Sequence, residues 1–341
     1  MQPEVVVPWE ESLRIWPPPR DVVVVIGGVD SGKSYWIRAY CQRYADADIG
    51  LVSGDLGQVL FGVPGLISYA PFRKDQPDIE TYFPETCAFV GQTHPNGRFL
   101  QTIEAIFRVV THARRRHTTV LVDTDGLIAD SVGREYKRLL IMMCRPCSVV
   151  LLAHPTEVAP WQAMLAPLEG VRFLGVRPSD QVRSKSASER AHRRHRMFQR
   201  WFQETERHIV PIDALLLSES TGLGEPVRGT MWETIVQVLG DRVIYAERSG
   251  RTVRVLTREP LTAVAYHRLR EVVAPYTVTV RPLITWRRRL IGDIGPDGFA
   301  SGMGRIVGWS HLPPVLEVEG RFFRTPGPVW IVGTGTFPEV G

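Results

Sequence analysis

Short apolar runs punctuate the first two thirds of the chain: VVVVI at 22–26, IGLVS at 49–53, TTVLVD at 118–123, SVVLLA at 148–153, VRFLGV at 171–176 and HIVPID at 208–213. Unalternated, β-branched runs of this kind predict strands covered on both faces. Amphipathic stretches at Phe99–Arg115 and Ser131–Met143 separate several of them and predict helices. Strand and helix in alternation imply an α/β fold, a doubly wound parallel sheet with helices on both faces. A further helix at Thr230–Leu239 is expected to close this region. Beyond about Asp241 the pattern changes to short strands (RVIYAE, RTVRVL, YTVTV, RRRLIG, RIVGW, VLEVEG, VWIVG) broken by Gly and Pro turns, with one helical stretch at Leu261–Val273. That texture predicts a smaller, mostly β C-terminal domain. Three parts follow: a lead-in segment at 1–20 that packs on the outside, an α/β domain at 21–240, and a β-rich domain at 241–341.

Composition narrows the class. The chain of 341 residues is 44% hydrophobic and 23% charged, enough to bury a full core and too apolar for a disordered tail. No apolar run approaches the roughly 18 to 20 residues of a membrane span. The N-terminus MQPEVVVPWEES lacks a basic n-region, so a cytoplasmic protein is expected. Four cysteines suit a reducing compartment, and the lone Cys144-x-x-Cys147 has no second pair with which to build a zinc site.

The net charge is only +5, but its distribution is uneven. Lys33, Lys74, Lys137 and Lys185 are the only lysines, so arginine supplies nearly all of the 41 basic residues. Between Arg183 and Arg200, Arg183, Lys185, Arg190, Arg193, Arg194, Arg196 and Arg200 face a single acid, Glu189. The rest of the chain is close to neutral.

VVVVIGGVDSGKSYWIRAY joins an apolar strand to a helix through Gly27, four residues, then Gly32-Lys33-Ser34. This is the phosphate-binding loop pattern in its proper context, and it makes the first domain a P-loop NTPase sheet. Backbone N–H groups of Gly27, Gly28, Val29, Asp30, Ser31, Gly32, Lys33, Ser34 and Tyr35 are placed to cradle the phosphates of ATP at a helix N-terminus. Lys33 neutralises charge between those phosphates, and the Ser34 hydroxyl is a hard ligand for Mg2+. Asp123, ending TTVLVD, stands where such proteins often put the acid of the magnesium site.

LVSGDLGQVLFGVPG ends the second strand, VLVDTDGLIADSVG ends the third, and QVRSKSASERAHRRHRMFQRWF follows. In this order these segments resemble the P-loop polynucleotide 5′-hydroxyl kinase family, whose eukaryotic relatives include a subunit of the pre-mRNA cleavage factor and a pre-rRNA-processing kinase. Matching features are the GxxDSGKS loop, the D-x-G-Q motif with its Pro-Gly (Asp55, Gly57, Gln58, Pro64, Gly65), the T-x-G turn (Thr124, Gly126) and an Arg-rich lid at 183–202. RRLIGDIGPDGFASGMGRIVGW resembles that family's β-rich domain.

The resemblance implies transfer of the ATP γ-phosphoryl group to the 5′-hydroxyl of RNA or DNA. It implies Asp55 as general base on that hydroxyl, Gln58 as a positioning group, Asp55, Gln58, Pro64, Gly65, Thr124, Gly126 and Arg183 around the substrate, and lid arginines over the phosphates. Helical spacing lets Arg190, Arg193 and Arg194 share one face of the lid, and Arg190 and Arg194 are expected to act on the transferring group. This sequence departs from the family at Leu127, where an aromatic usually follows the glycine, and at Ser53, where many relatives carry a first aspartate. Two other functions remain open: an ATP-binding scaffold of an RNA-processing complex without turnover, and a P-loop kinase for a small molecule.

Overall fold

The computed structural model describes residues 6–15, 21–217, 224–311 and 313–338, and divides the chain into two compact units, Met1–Trp201 and Phe202–Gly341. In order, the first unit contains β1 (Val6–Val7), α1 (Trp9–Ile15), β2 (Val22–Gly27), α2 (Lys33–Arg43), β3 (Ile49–Gly54), β4 (Leu66–Pro71), β5 (Thr86–Phe89), α3 (Phe99–Arg114), β6 (Thr119–Thr124), α4 (Ser131–Cys144), β7 (Ser148–Leu152), α5 (Pro155–Leu165), β8 (Arg172–Val176) and α6 (Ala187–Trp201).

Its strands form one eight-stranded sheet in the order β1-β8-β7-β2-β6-β3-β4-β5. The strands from β1 to β3 run parallel, and β4 and β5 extend the sheet antiparallel. Every residue of β2, β3, β6 and β7 is buried, as their unbroken apolar character requires. Successive strand residues point to opposite faces. Val23, Val25, Leu121 and Leu152 therefore share a core with Trp36, Ile37 and Tyr40 of α2. Fully burying each such aliphatic side chain contributes about 1.5–3 kcal/mol.

The lead-in segment does more than pack outside, because β1 pairs with β8 as an edge strand. Helix α1 docks on α2 through Trp36 Nε1, which donates to Ser12 Oγ at 2.8 Å, and through the Tyr44 hydroxyl, which donates to Leu13 O at 2.9 Å. The Pro17–Pro19 run lies outside the described residues.

The second unit contains β9 (Glu206–Pro211), β10 (Leu215–Leu217), β11 (Glu225–Pro226), α7 (Gly229–Leu239), β12 (Val243–Ser249), β13 (Thr252–Thr257), α8 (Ala263–Val273), β14 (Thr277–Pro282), β15 (Arg289–Ile294), β16 (Gly302–His311), β17 (Pro314–Phe322) and β18 (Val329–Thr336). Two sheets form, β10-β18-β15-β16-β17-β9 and β11-β12-β13-β14. Asp293, the aspartate of LIGDIG, is buried and ties the following loop together by accepting from Ser301 N, Ser301 Oγ and Gly327 N.

The unit boundary differs from the expected one near residue 240, for two reasons. HIVPID is no member of the parallel sheet: β9 pairs antiparallel with β17, and its largely exposed pattern, Ile209 included, is that of an edge strand. The helix expected to close the α/β domain, α7, instead shares a core with α8, β12 and β13. Among the described residues no helix is long and apolar enough to cross a membrane.

Candidate functional site

The register of the sheet assembles the site. Asp123 pairs beside Val25 of β2 and Ser53 of β3, so the carboxyl ends of β2, β6 and β3 deliver the 27–34 loop, Asp123 and Asp55 to one crevice. Ligands of open α/β sheets bind at such ends. A cavity of about 590 Å³ opens there, lined by residues 29–35, Asp55, Gln58, Gly126 and arginines of the 181–196 segment.

The loop needs its glycines for contact as well as conformation. Gly32 has φ 91°, and a Cβ there would meet Val182 Cγ2 at 2.8 Å. Lys33 is buried, with Nζ donating to the carbonyls of Gly27 (2.9 Å) and Gly28 (2.8 Å). An ammonium held over loop carbonyls is already in position to meet phosphate oxygens. Ser34 Oγ donates to Asp123 Oδ2 at 3.2 Å, while Asp123 Oδ1 is buried with no hydrogen-bond partner among the described residues. Burial pushes the Asp123 carboxyl up to about 6; Lys33 pulls the other way and Asp55 adds repulsion. A hydroxyl and a buried acid with one open oxygen are a fitting donor set for a hard divalent cation.

Asp55 begins a tight turn. Its Oδ1 accepts from Gly57 N (2.8 Å) and Gln58 N (2.9 Å), whereas Oδ2 makes no hydrogen bond among the described residues. The turn orients the carboxylate and leaves an oxygen for chemistry. Gln58 Nε2 reaches Arg190 O at 3.3 Å, linking this turn to α6.

The arginine-rich segment closes one side. Asp30 Oδ2 receives Ser184 Oγ (3.1 Å), Lys185 N (3.0 Å) and Arg190 Nη1 (3.1 Å). Arg183 lines the cavity and pairs with Glu189 at 2.7 Å. Met197, Phe198 and Trp201 are the buried side chains of α6 and fix its C-terminal turns in the fold. The Tyr35 hydroxyl donates to Gln181 Oε1 at 2.9 Å.

Several expected site residues have other tasks. Pro64 and Gly65 form a buried turn outside the cavity lining, in which Gly65, at φ 97°, donates to Leu56 O and accepts from Val90 N and Gly91 N. The buried Thr124 hydroxyl donates to Val25 O at 2.8 Å and is committed to holding β6 against β2. Gly126 does line the cavity, and a Cβ on it would meet Val29 N at 2.7 Å. Arg194 is outside the lining, whereas Arg193 and Arg196 are inside it.

Sequence reasoning missed Arg38 and Glu80 as lining residues, and it named Lys185, Arg193 and Arg196 only as members of the basic lid segment. Arg38 had a local signal, one helical turn beyond Ser34; Glu80 had none. It also missed a buried ion pair behind the 124–127 turn, Lys137 Nζ with Asp125 Oδ2 at 2.8 Å. Burial acts to raise the Asp125 carboxyl, but Lys137, the Leu127 N–H and the Tyr136 hydroxyl together hold it below its ordinary value.

A family model described as the mRNA cleavage and polyadenylation factor CLP1 P-loop matches residues 27–204. A polyribonucleotide 5′-hydroxyl-kinase of Thermococcus kodakarensis is 30% identical over 327 residues, covering 87% of this chain and 84% of that protein. One from Pyrococcus horikoshii is 24% identical over 304 residues, covering 87% and 80%. Among solved structures, wild-type Clp1p in complex with Pcf11p shares the fold, with a TM-score of 0.59 at 14% identity over 96% of this chain and 76% of that one.

Proposed function

Because this chain belongs to the CLP1 P-loop family, we propose that it is an ATP-dependent kinase acting on the 5′-hydroxyl end of a polynucleotide. The observation that carries the reading is the meeting of Lys33, Ser34, Asp55 and Arg190 in one cavity at the carboxyl ends of the central strands. A nucleotide-binding loop alone names no reaction. A carboxylate with one oxygen uncommitted, set opposite that loop and beneath arginines, is suited to a hydroxyl acceptor.

The Asp55 carboxylate takes the proton of the 5′-hydroxyl as its oxygen bonds to the γ-phosphorus. The bond from that phosphorus to the β,γ-bridging oxygen breaks, and ADP leaves with the electron pair. Phosphoryl transfer of this kind depends on positioning and charge neutralisation more than on covalent participation. Lys33 and the loop N–H groups hold the β- and γ-phosphates, and Arg190 meets charge developing on the transferring group. Ser34 and Asp123 would hold Mg2+, which supplies a compact positive charge to the phosphate oxygens. Gln58 couples the Asp55 turn to the lid through Arg190 O.

The test is incubation with γ-labelled ATP, Mg2+ and matched 5′-hydroxyl RNA and DNA oligonucleotides. Label is expected at the 5′ end, and its loss in Lys33→Ala and Asp55→Ala. ATP binding with no transfer to either strand would overturn the reading in favour of a scaffold, a reading that the absence of an aromatic at Leu127 supports.

A further inference from the structure

The same cavity contains a second concentration of charge, around Glu80. Arg38 Nη2 from α2 lies 3.3 Å from Glu80, and Arg193 Nε and Arg196 Nη2 from α6 lie 3.4 and 3.8 Å from the same carboxylate. Three guanidinium groups thus share one acid, an excess of two positive charges. Arg38 Nε is in addition buried with no hydrogen-bond partner among the described residues.

The cluster is built, not incidental. Arg193 Nη2 donates to Val59 O at 2.7 Å, fixing it against the loop that begins at Asp55. Arg200 donates to the carbonyls of Glu80 and Thr81, and Asp78 Oδ1 accepts from Glu80 N, so the turn that presents the carboxylate is held at both ends. Guanidinium forks match phosphate oxygens in pairs, and several forks in one place form an oxyanion site.

We propose that Arg38, Arg193 and Arg196 form a subsite for the phosphodiester that follows the 5′-terminal nucleotide of the acceptor strand, with Glu80 as the resident counterion that this phosphate displaces. The proposal rests on the reading of the acceptor as a polynucleotide. A phosphate of ATP has the same chemistry. The acceptor is favoured because Lys33 and the loop N–H groups already serve the triphosphate, while Arg193 is tied to the segment that carries Asp55. Glu80 also repels a triphosphate more strongly than a singly charged diester. Glu80 keeps the guanidinium groups from repelling one another before substrate arrives and competes with the weaker anions of the solvent.

The experiment compares two 5′-hydroxyl oligonucleotides that differ only in the first internucleotide linkage, phosphodiester in one and uncharged methylphosphonate in the other. Binding is read by fluorescence anisotropy, which needs no turnover, and KM is measured for oligonucleotide and ATP separately. The unaltered protein is expected to bind the charged strand about tenfold more tightly, the scale of one charge-assisted contact. Arg38→Ala should erase that preference and leave the KM for ATP within about twofold. Glu80→Gln should tighten binding of the charged strand alone by about threefold, a gain that misfolding does not produce. Equal binding of the two strands by the unaltered protein, or an Arg38→Ala defect in KM for ATP instead of oligonucleotide, would sink the subsite. Discrimination without phosphoryl transfer would support the subsite and overturn the kinase reading; transfer without discrimination would do the reverse.

Discussion

Arg190 Nη1 lies 3.1 Å from Asp30 Oδ2, an ion pair that ties α6 to the phosphate loop itself. Asp30 holds φ 56°, a left-handed conformation that aspartate tolerates better than most residues, and its one oxygen gathers three donors from the 184–190 segment. The arginine proposed for the transferring group is therefore set in place by the phosphate loop. Asp30→Asn keeps the backbone preference and removes the charge. It is expected to lower kcat about tenfold, the equivalent of about 1.4 kcal/mol, with little change in melting temperature. Steady-state kinetics beside a thermal melt checks this, and an equal loss in ATP affinity would place the residue in binding instead.

Asp55→Asn preserves the acceptor that holds the Gly57 and Gln58 N–H groups, so the turn should survive. Loss of the base alone is expected to lower turnover about 10²–10⁴-fold. The KM for ATP should stay within about threefold of the starting value. Near-normal turnover would remove Asp55 from the mechanism.

Gly126→Ala tests the close approach of the 124–127 turn to the phosphate loop. The added methyl would meet Val29 N at 2.7 Å and Val29 Cα at 2.9 Å, backbone atoms that move only with the loop. ATP affinity is expected to fall by about tenfold or more, the consequence of overpacking by one methyl group. Calorimetric titration with ATP measures it.

Asp123 is maintained against its own solvation. Burial pushes it up to about 6 from an ordinary 3.8, so the stability due to its neutral form is complete below about pH 4 and lost as pH rises through 6. With divalent cations chelated, Asp123→Asn should be more stable than the parent at pH 7 by on the order of 2–3 kcal/mol, from 1.36 kcal/mol per pKa unit. The same variant should lose kinase activity. Urea melts at pH 4 and pH 7 test the sign, since the difference should nearly vanish at the lower pH.

Lys137 and Asp125 pair out of solvent, with the Tyr136 hydroxyl donating to Asp125 Oδ2 at 3.0 Å. Lys137→Met leaves a buried carboxylate alone and is expected to destabilise the first unit by about 3–5 kcal/mol. Replacing both partners, as Lys137→Met with Asp125→Leu, should restore most of it. Because the Asp125 carboxyl lies below its ordinary 3.8, its contribution is present above that pH and lost as pH falls through the lower folded value. A double-mutant cycle in denaturant gives the coupling.

Much of the site was legible because its chemistry is local. The 27–34 loop, Asp55 with its turn and Asp123 each follow directly on an apolar strand, so a linear pattern locates them at strand ends. The Pro64-Gly65 turn and Thr124 are equally local signals, yet they hold the fold: Gly65 closes a buried turn and the Thr124 hydroxyl pins β6 to β2. A motif shows that residues travel together, not whether they face a cavity or a carbonyl. Arg194 illustrates the same limit, because helical spacing groups it with Arg190 on one side of α6 and yet only Arg190 lines the cavity.

Alone, the order of residues determined the parallel sheet, the nucleotide loop and the acid beside it, since these depend on apolar runs and on neighbours within a few positions. Tertiary structure decided the rest: that β9 and α7 belong with the C-terminal strands, that Arg193 and not Arg194 faces the cavity, and that Glu80 collects Arg38, Arg193 and Arg196. The contacts of Glu80 and the pairing of β9 with β17 join residues 42 to more than 100 positions apart. The physical reason is that edge pairing, helix rotation and charge grouping are set by which surfaces bury together, and the chain carries no local mark of that choice.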